Sequence, residues 1–325
     1  MLYPLTFHPI FMERVWGGRK LAELYGKRLP ADLPIGESWE ICDRPGAVSV
    51  IANGAHAGKD LHWAVREFGA SLLGDASAPN GRFPLLIKLL DAQEKLSLQV
   101  HPPPAKAAEL AGEPKTEVWY IAEAAPGATL YAGLKKGVTR GEFETRIRDG
   151  TVDECLHQVH VAQGDSMFLP SGRVHAIGAG LVICEVQQNS DTTYRVFDWN
   201  RVGLDGKPRS LHIRESLASI DFNDFEPMLI RGVFYRVDSA NVRPLVDTPL
   251  FTVSAFQAIV GAEHLWKTGR MRVLGVLTGR LRLFWDKGEL LLAAGQFCLI
   301  PAAMKQLILR SETTSTFLDI QAGVA

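Results

Sequence analysis

Apolar positions along the chain fall in short runs rich in Val, Ile, Leu, Phe and Trp, punctuated by Gly, Pro, Asn and Asp. This is the pattern of antiparallel strands and turns, and it predicts a mainly β chain built as a sandwich or barrel. Helical signals are few. Thr139 with Glu142 and Thr151 with Glu154 have capping-box spacing, and Asp60 and Ser210 each precede an amphipathic stretch. An Ala-rich stretch within residues 102–114 predicts one more short helix between two candidate strands, near the mouth of any site there.

Two segments repeat one another. Residues 164–175 read GDSMFLPSGRVH and residues 295–306 read GQFCLIPAAMKQ, so that in each a Gly opens a turn, an apolar strand runs to a Pro, and a second strand resumes after a short loop. The first copy fits G-x5-P-x4-H and resembles the second motif of the cupins, although Ala179 stands where that pattern ends in Asn. The second copy carries Gln306 in place of His175. The resemblance implies two tandem cupin-type jelly-roll barrels (double-stranded β-helices) with a few accessory helices. The expected division gives a catalytic, metal-binding domain over residues 1–235 and a degenerate domain without metal ligands over 236–325, with the break in the Pro-punctuated region 225–247.

Composition narrows the partners. A chain of 325 residues that is 46% hydrophobic can bury two cores. A net charge of −1 with no polybasic run excludes a nucleic-acid backbone or an anionic membrane as the expected partner and favours small solutes. Cys42, Cys155, Cys184 and Cys298 are widely spaced and are expected to be reduced, mostly buried thiols. The N-terminal stretch is apolar but interrupted by His8, Pro9, Glu13 and Arg14, and no segment reaches about 20 apolar residues. A soluble, cytoplasmic protein is expected.

Gln99 and His101, in LSLQVHP, stand two apart in a strand-like run and so point to one face, about 6–7 Å apart. Glu117 opens the next strand-like run, KTEVWYI, and His175 closes the repeated turn. Two imidazoles, a carboxylate and an amide oxygen suit zinc or a similar divalent ion, with positions left for water or substrate. One anionic ligand leaves the ion net positive charge, which fits Lewis-acid chemistry at a carbonyl. Singly, each residue is better explained as structural; the joint spacing carries the reading. His8, His56, His62, His157, His160, His212 and His264 fit no such pattern and are expected at the surface or in packing.

At this point the residues resemble the type I phosphomannose isomerases (mannose-6-phosphate isomerases) in their short bacterial form. The likeness runs through VWGGRKL (15–21), IGESWEI (35–41), PLLIKLLDAQEKLSLQVHP (84–102), KTEVWYI (115–121), LPSGRVHAIGAG (169–180) and EVQQNSDTTYRVFDW (185–199). It implies zinc ligands at Gln99, His101, Glu117 and His175, an active-site arginine at Arg195, a proton-transfer carboxylate at Glu185 and a lysine beside the metal at Lys115. The implied substrate is a small sugar phosphate, mannose 6-phosphate, isomerised to fructose 6-phosphate through an enediol. Asp198 or a metal-bound water is the reserve proton carrier, and an ion pair with Asp191 or Asp198 is the competing role for Arg195. With no Gly-rich phosphate loop, side chains such as Lys115, Arg195, Ser97 and Lys95 must hold the phosphate. Trp16, Trp39 and Trp119 are candidates to stack on a sugar, with packing the stronger expectation for Trp119. Pro103, Pro104 and Pro114 depart from the family's usual residues and bear on the entrance, not the ligands. The alternatives are a sugar-binding regulatory cupin without catalysis and an isomerase of an unphosphorylated sugar.

Overall fold

The computed structural model describes residues 2–267 and 269–324. Strand makes up 44% of it and helix 15%, which is the mainly β chain that the short apolar runs predict. Four layers of sheet stack on one another. A five-stranded sheet (Leu156–His160, Thr129–Leu134, His175–Ile177, Leu98–Val100, Tyr194–Phe197) faces a six-stranded sheet (Ser166–Leu169, Glu117–Ala124, Leu181–Gln188, Leu85–Ala92, Ile35–Ile41, Ile10–Gly18). Leu90, Ile121, Leu130, Met167, Ile177 and Ile183 fill the space between them.

The other face of the six-stranded sheet is also covered. Leu85, Ile87, Leu89, Val118 and Cys184 pack with Val253, Val273, Leu318 and Ile320 of an eight-stranded sheet. That sheet in turn packs on a four-stranded one around Leu274, Val276, Leu283, Cys298 and Phe317. Burial on both faces explains why Leu85–Ala92 and Leu181–Gln188 read as nearly unbroken apolar runs instead of alternating. The eight-stranded sheet draws on both ends of the chain: Leu5–His8 pairs with Phe297–Ile300 on one side and with Val50–Ile51 on the other. Residues 225–234 carry no helix or strand, and Tyr235–Val237 begins the eight-stranded sheet.

The repeated motif has the same shape twice. Gly164 and Gly295 both take positive φ, at 89° and 78°, and lead into Ser166–Leu169 and Phe297–Ile300; strands resume at His175 and Gln306. All four cysteines are free and buried.

The helix signals fare unevenly. Asp60 caps Leu61–Phe68 by accepting from the Trp63 N–H at 2.7 Å, and Thr139 caps Arg140–Asp149 by accepting from the Glu142 N–H at 3.2 Å. The Ala-rich stretch yields the single turn Pro104–Ala107. Thr151 corrects the capping-box expectation. It precedes the 3-10 turn Val152–Cys155 without a side-chain cap, because its backbone, at φ −116° and ψ 22°, is outside the extended region of an N-cap, and Glu154 pairs with Arg146 instead. Ser210 is not a cap either: its carbonyl accepts from Arg195, and the helix begins at Ile213 after His212. Asp60→Ala should therefore destabilise the chain by about 1 kcal/mol in chemical denaturation, whereas Thr151→Ala should leave stability within about 0.5 kcal/mol of the parent.

Candidate metal centre and its cavity

Strand alternation decides which side chains meet. In the six-stranded sheet, Glu37, Lys88, Glu117, Trp119 and Glu185 share the face turned toward the five-stranded sheet, because the residues that alternate with them, Ile87, Leu89, Val118 and Cys184 among them, face the opposite core. Register aligns them across strands, with Glu185 opposite Lys88 on one side and Trp119 on the other. In the five-stranded sheet, Gln99 lies opposite both His175 and Arg195. Leu98 and Val100 pack on the outer face with Phe143 and Val196, so Gln99 turns inward.

His101, Glu117 and His175 converge with one donor atom each, all within 4.8 Å of one another, and all three residues are buried. His101 Nδ1 donates to the Thr192 carbonyl at 2.8 Å and His175 Nδ1 to the Arg173 carbonyl at 2.9 Å. Each ring thereby turns its Nε2 lone pair into the cluster. Those atoms stand 3.6 Å and 3.5 Å from the two Glu117 carboxylate oxygens. Gln99 adds its amide, 3.2 Å from His175 Nε2. Neither Glu117 oxygen accepts an aligned hydrogen bond, although Lys115 Nζ lies 2.8 Å from Oε2. A buried carboxylate without hydrogen bonds, set against two inward lone pairs, is a donor set that fits a divalent cation.

Charge is compensated locally. Burial raises the Glu117 carboxyl, but Lys115 and His101 outweigh it and hold it well below the usual carboxylate range. Burial, reinforced by the Lys115 ammonium, pushes the His101 imidazole down to about 4, and burial also lowers His175. Neutral rings are the form that binds metal. Burial works against ionised Glu37 too, yet Lys88 and Arg14 bring it down to about 2.

Beside the cluster opens a cavity of about 580 Å³ whose wall includes Lys88, Gln99, Lys115, Glu185 and Arg195. Glu185 accepts from the Trp119 indole at 2.9 Å through Oε2, while Oε1 accepts no hydrogen bond and lies 3.2 Å from Lys88 Nζ and 3.9 Å from Lys115 Nζ. The five-stranded sheet presents Arg195 without a carboxylate partner among the described residues. Its guanidinium donates to the Ser210 carbonyl at 2.7 Å and leaves Nε unpaired; burial, then the nearby Arg209 cation, lowers it from the ordinary arginine value. The competing ion pair with Asp198 is not made, because Arg201 and Arg209 occupy that carboxylate. Asp198 is therefore not on the cavity wall. Ser97 and Trp16 are on the wall; Lys95 instead lies over the Trp199 ring, and Trp119 is wholly buried.

Reading the sequence for histidines misses Lys88, Glu37 and Arg14, which complete the wall. The signal was there: a lone lysine in LLIKLLDA, buried at every position, demands a carboxylate partner.

Comparison with known proteins identifies the chain's kin. A family model described as "Phosphomannose isomerase type I, catalytic domain" matches residues 5–127. The "Mannose-6-phosphate isomerase" of Streptococcus mutans is 35% identical over 306 residues, covering 94% of each chain. The chain belongs to the mannose-6-phosphate isomerase family. Another member, the "Probable mannose-6-phosphate isomerase GmuF" of Bacillus subtilis, is 34% identical over 93% of this chain and 94% of its own. The crystal structure of the mannose 6-phosphate isomerase from Bacillus subtilis superposes with a TM-score of 0.90 at 29% identity, covering 98% of this chain and all of that one.

Within this family fold, the depressed His101 value makes a prediction. The unfolded chain takes up a proton near pH 6.5 and the folded chain only near about 4. Stability is therefore complete above pH 6.5 and falls as pH drops from 6.5 toward about 4. Urea denaturation across that window should show the fall in the metal-free parent and a shallower one in His101→Gln.

Proposed function

We propose that the chain is a zinc-dependent aldose–ketose isomerase that interconverts mannose 6-phosphate and fructose 6-phosphate by enediol proton transfer. The observation that carries this reading is the buried His101–Glu117–His175 cluster, joined by Gln99, opening on a cavity lined by Glu185, Lys115 and Arg195. The relatives, mannose-6-phosphate isomerases by name, support the substrate and the reaction. The same likeness supports reading the two pairs of facing sheets as two tandem cupin-type barrels, residues 1–235 holding the metal and 236–325 none.

The reaction moves a proton between C1 and C2 and interchanges carbonyl and hydroxyl. When bound by Gln99, His101, Glu117 and His175, the divalent ion supplies Lewis-acid polarisation of the sugar oxygens. Glu185 is the proposed base. It takes the proton from C2 of the aldose through the free Oε1 and returns it to C1, the C2 hydroxyl proton passing to O1, while its other carboxylate oxygen stays fixed by Trp119. The Lys115 ammonium and the Arg195 guanidinium face the same space and oppose the negative charge that develops on the sugar oxygens. Arg195, with unspent donors, is also suited to the phosphate.

A coupled assay with mannose 6-phosphate, run alongside metal analysis, tests the reading. Chelator-treated protein should lose activity and regain it with zinc. His101→Ala should lose both metal and activity, and Arg195→Ala should keep its metal while kcat falls at least about 100-fold. Full turnover by metal-free protein rejects the proposal. Binding of fructose 6-phosphate without exchange of solvent deuterium into C1 or C2 favours a regulatory, non-catalytic role, and equal rates on mannose favour an unphosphorylated substrate.

A further inference from the structure

The segment between Arg195 and His212 does more than carry an arginine to the cavity. Residues 199–209 fold back as a hairpin, closed by the Val202–Pro208 bridge and by the Gly203 N–H donating to the Lys207 carbonyl at 2.7 Å. Trp199 and Asn200 both adopt φ near 55°, which turns the chain sharply into the hairpin. Its tip, Gly203 to Asp205, forms part of the cavity wall, as do Arg14, Val15 and Trp16.

The hairpin is held at its base. Asp198 accepts from Arg201 Nε at 3.0 Å and from Arg209 Nε at 2.7 Å, so that one nearly buried carboxylate ties together both arms. Arg201 also donates to the Lys95 carbonyl, and the Trp199 indole donates to the Leu96 carbonyl at 2.6 Å. The tip is not anchored in this way. Val202 is 50% and Leu204 56% exposed, and Leu204 nonetheless lines the cavity. A half-exposed leucine that lines a polar cavity gains burial when a ligand fills that cavity.

We propose that residues 199–209 are a lid over the sugar-phosphate cavity and that Asp198 is the positioning residue that holds it. The proposal rests on the isomerase reading for the identity of the ligand. Asp198 acts through the two arginines and does not touch substrate. By occupying Arg201 and Arg209 it leaves Arg195, which has no carboxylate partner among the described residues, free for the ligand. Leu204 closes over the bound sugar phosphate and holds it against the cavity wall, so that the lid adds to binding more than to the chemical step.

Trypsin reads the clasp directly, because it must draw Arg201 out of its ion pair to cut the Arg201–Val202 bond. Wild type, Asp198→Asn and Leu204→Gly would be compared for cleavage after Arg201 and Arg209, with and without fructose 6-phosphate, and for KM and kcat on mannose 6-phosphate. Asp198→Asn should be cut about tenfold faster without ligand, since local opening is easier. Fructose 6-phosphate should slow cleavage of the wild type and protect both variants less. In both variants KM should rise about tenfold while kcat stays within about threefold, with metal content and thermal midpoint near wild type for Leu204→Gly. Wild-type KM in both variants together with unchanged cleavage overturns the lid. A loss of kcat of about 100-fold at constant KM in Asp198→Asn overturns the positioning role and makes Asp198 part of the chemistry. Cleavage without ligand reports on the clasp whether or not mannose 6-phosphate is turned over, so the lid and the isomerase reading fail separately.

Discussion

Charge buried in a sheet covered on both sides, and open only at one cavity, must be neutralised by charge from the neighbouring residues, and this constraint organises the molecule. The six-stranded sheet is covered by the five-stranded sheet on one side and by the eight-stranded sheet on the other, yet it carries Glu37, Lys88, Glu117 and Glu185 inside. An uncompensated ion in such a place costs several kcal/mol. The arrangement answers with alternation: Lys88 lies between Glu37 and Glu185, and Lys115 between Glu117 and Glu185, with Arg14 closing the row on Glu37. Three carboxylates thus meet three cations. With its histidines neutral, the site's protein shell is close to electroneutral, and a divalent ion added to it leaves net positive charge for an anionic substrate.

The two sheets contribute different things. The six-stranded sheet supplies the carboxylates and Lys88, whose positions follow from register, with Lys115 two residues ahead of its strand Glu117–Ala124, while His175 and Gln99 come from the five-stranded sheet and His101 directly follows its strand Leu98–Val100. Backbone carbonyls of Thr192 and Arg173 orient the two rings, so each imidazole's tautomer is set by loops that lead into or out of those strands. The cluster exists only while the two sheets are packed. Leu90, Ile121, Leu130 and Ile177, which hold the sheets together, therefore also hold the donor distances.

Much of this was legible in the sequence because it rests on short-range rules. The i, i+2 spacing of Gln99 and His101 and the turn ending in His175 needed only strand periodicity and a repeat. Other features depend on contacts far apart in the chain. Lys88 acquires its meaning from Glu185, its partner across the strand, and Leu5–His8 joins Phe297–Ile300 by a pairing that no local pattern marks. Thr151 failed as a cap because its backbone is not extended, and Glu154 pairs with Arg146 eight residues away, neither of which spacing alone can rank. The hairpin after Arg195 likewise hid behind an unremarkable polar stretch, since its order comes from one carboxylate shared by Arg201 and Arg209.

The second copy of the turn shows what the motif does when no histidine ends it. Gln306 is exposed, and the space between the eight- and four-stranded sheets is filled by Leu274, Leu283, Phe317 and their neighbours, with no carboxylate–histidine cluster among the described residues there. The loop instead docks outward: the N–H groups of Ala302 and Ala303 donate to the carbonyls of Leu72 and Ser71, and Met304 joins the apolar core. The glycine, the strand and the proline are thus requirements of the backbone, shared by both copies. A donor set that fits a cation needs in addition a histidine at the end of the turn and a facing strand that brings a carboxylate, and among the described residues the first copy has both.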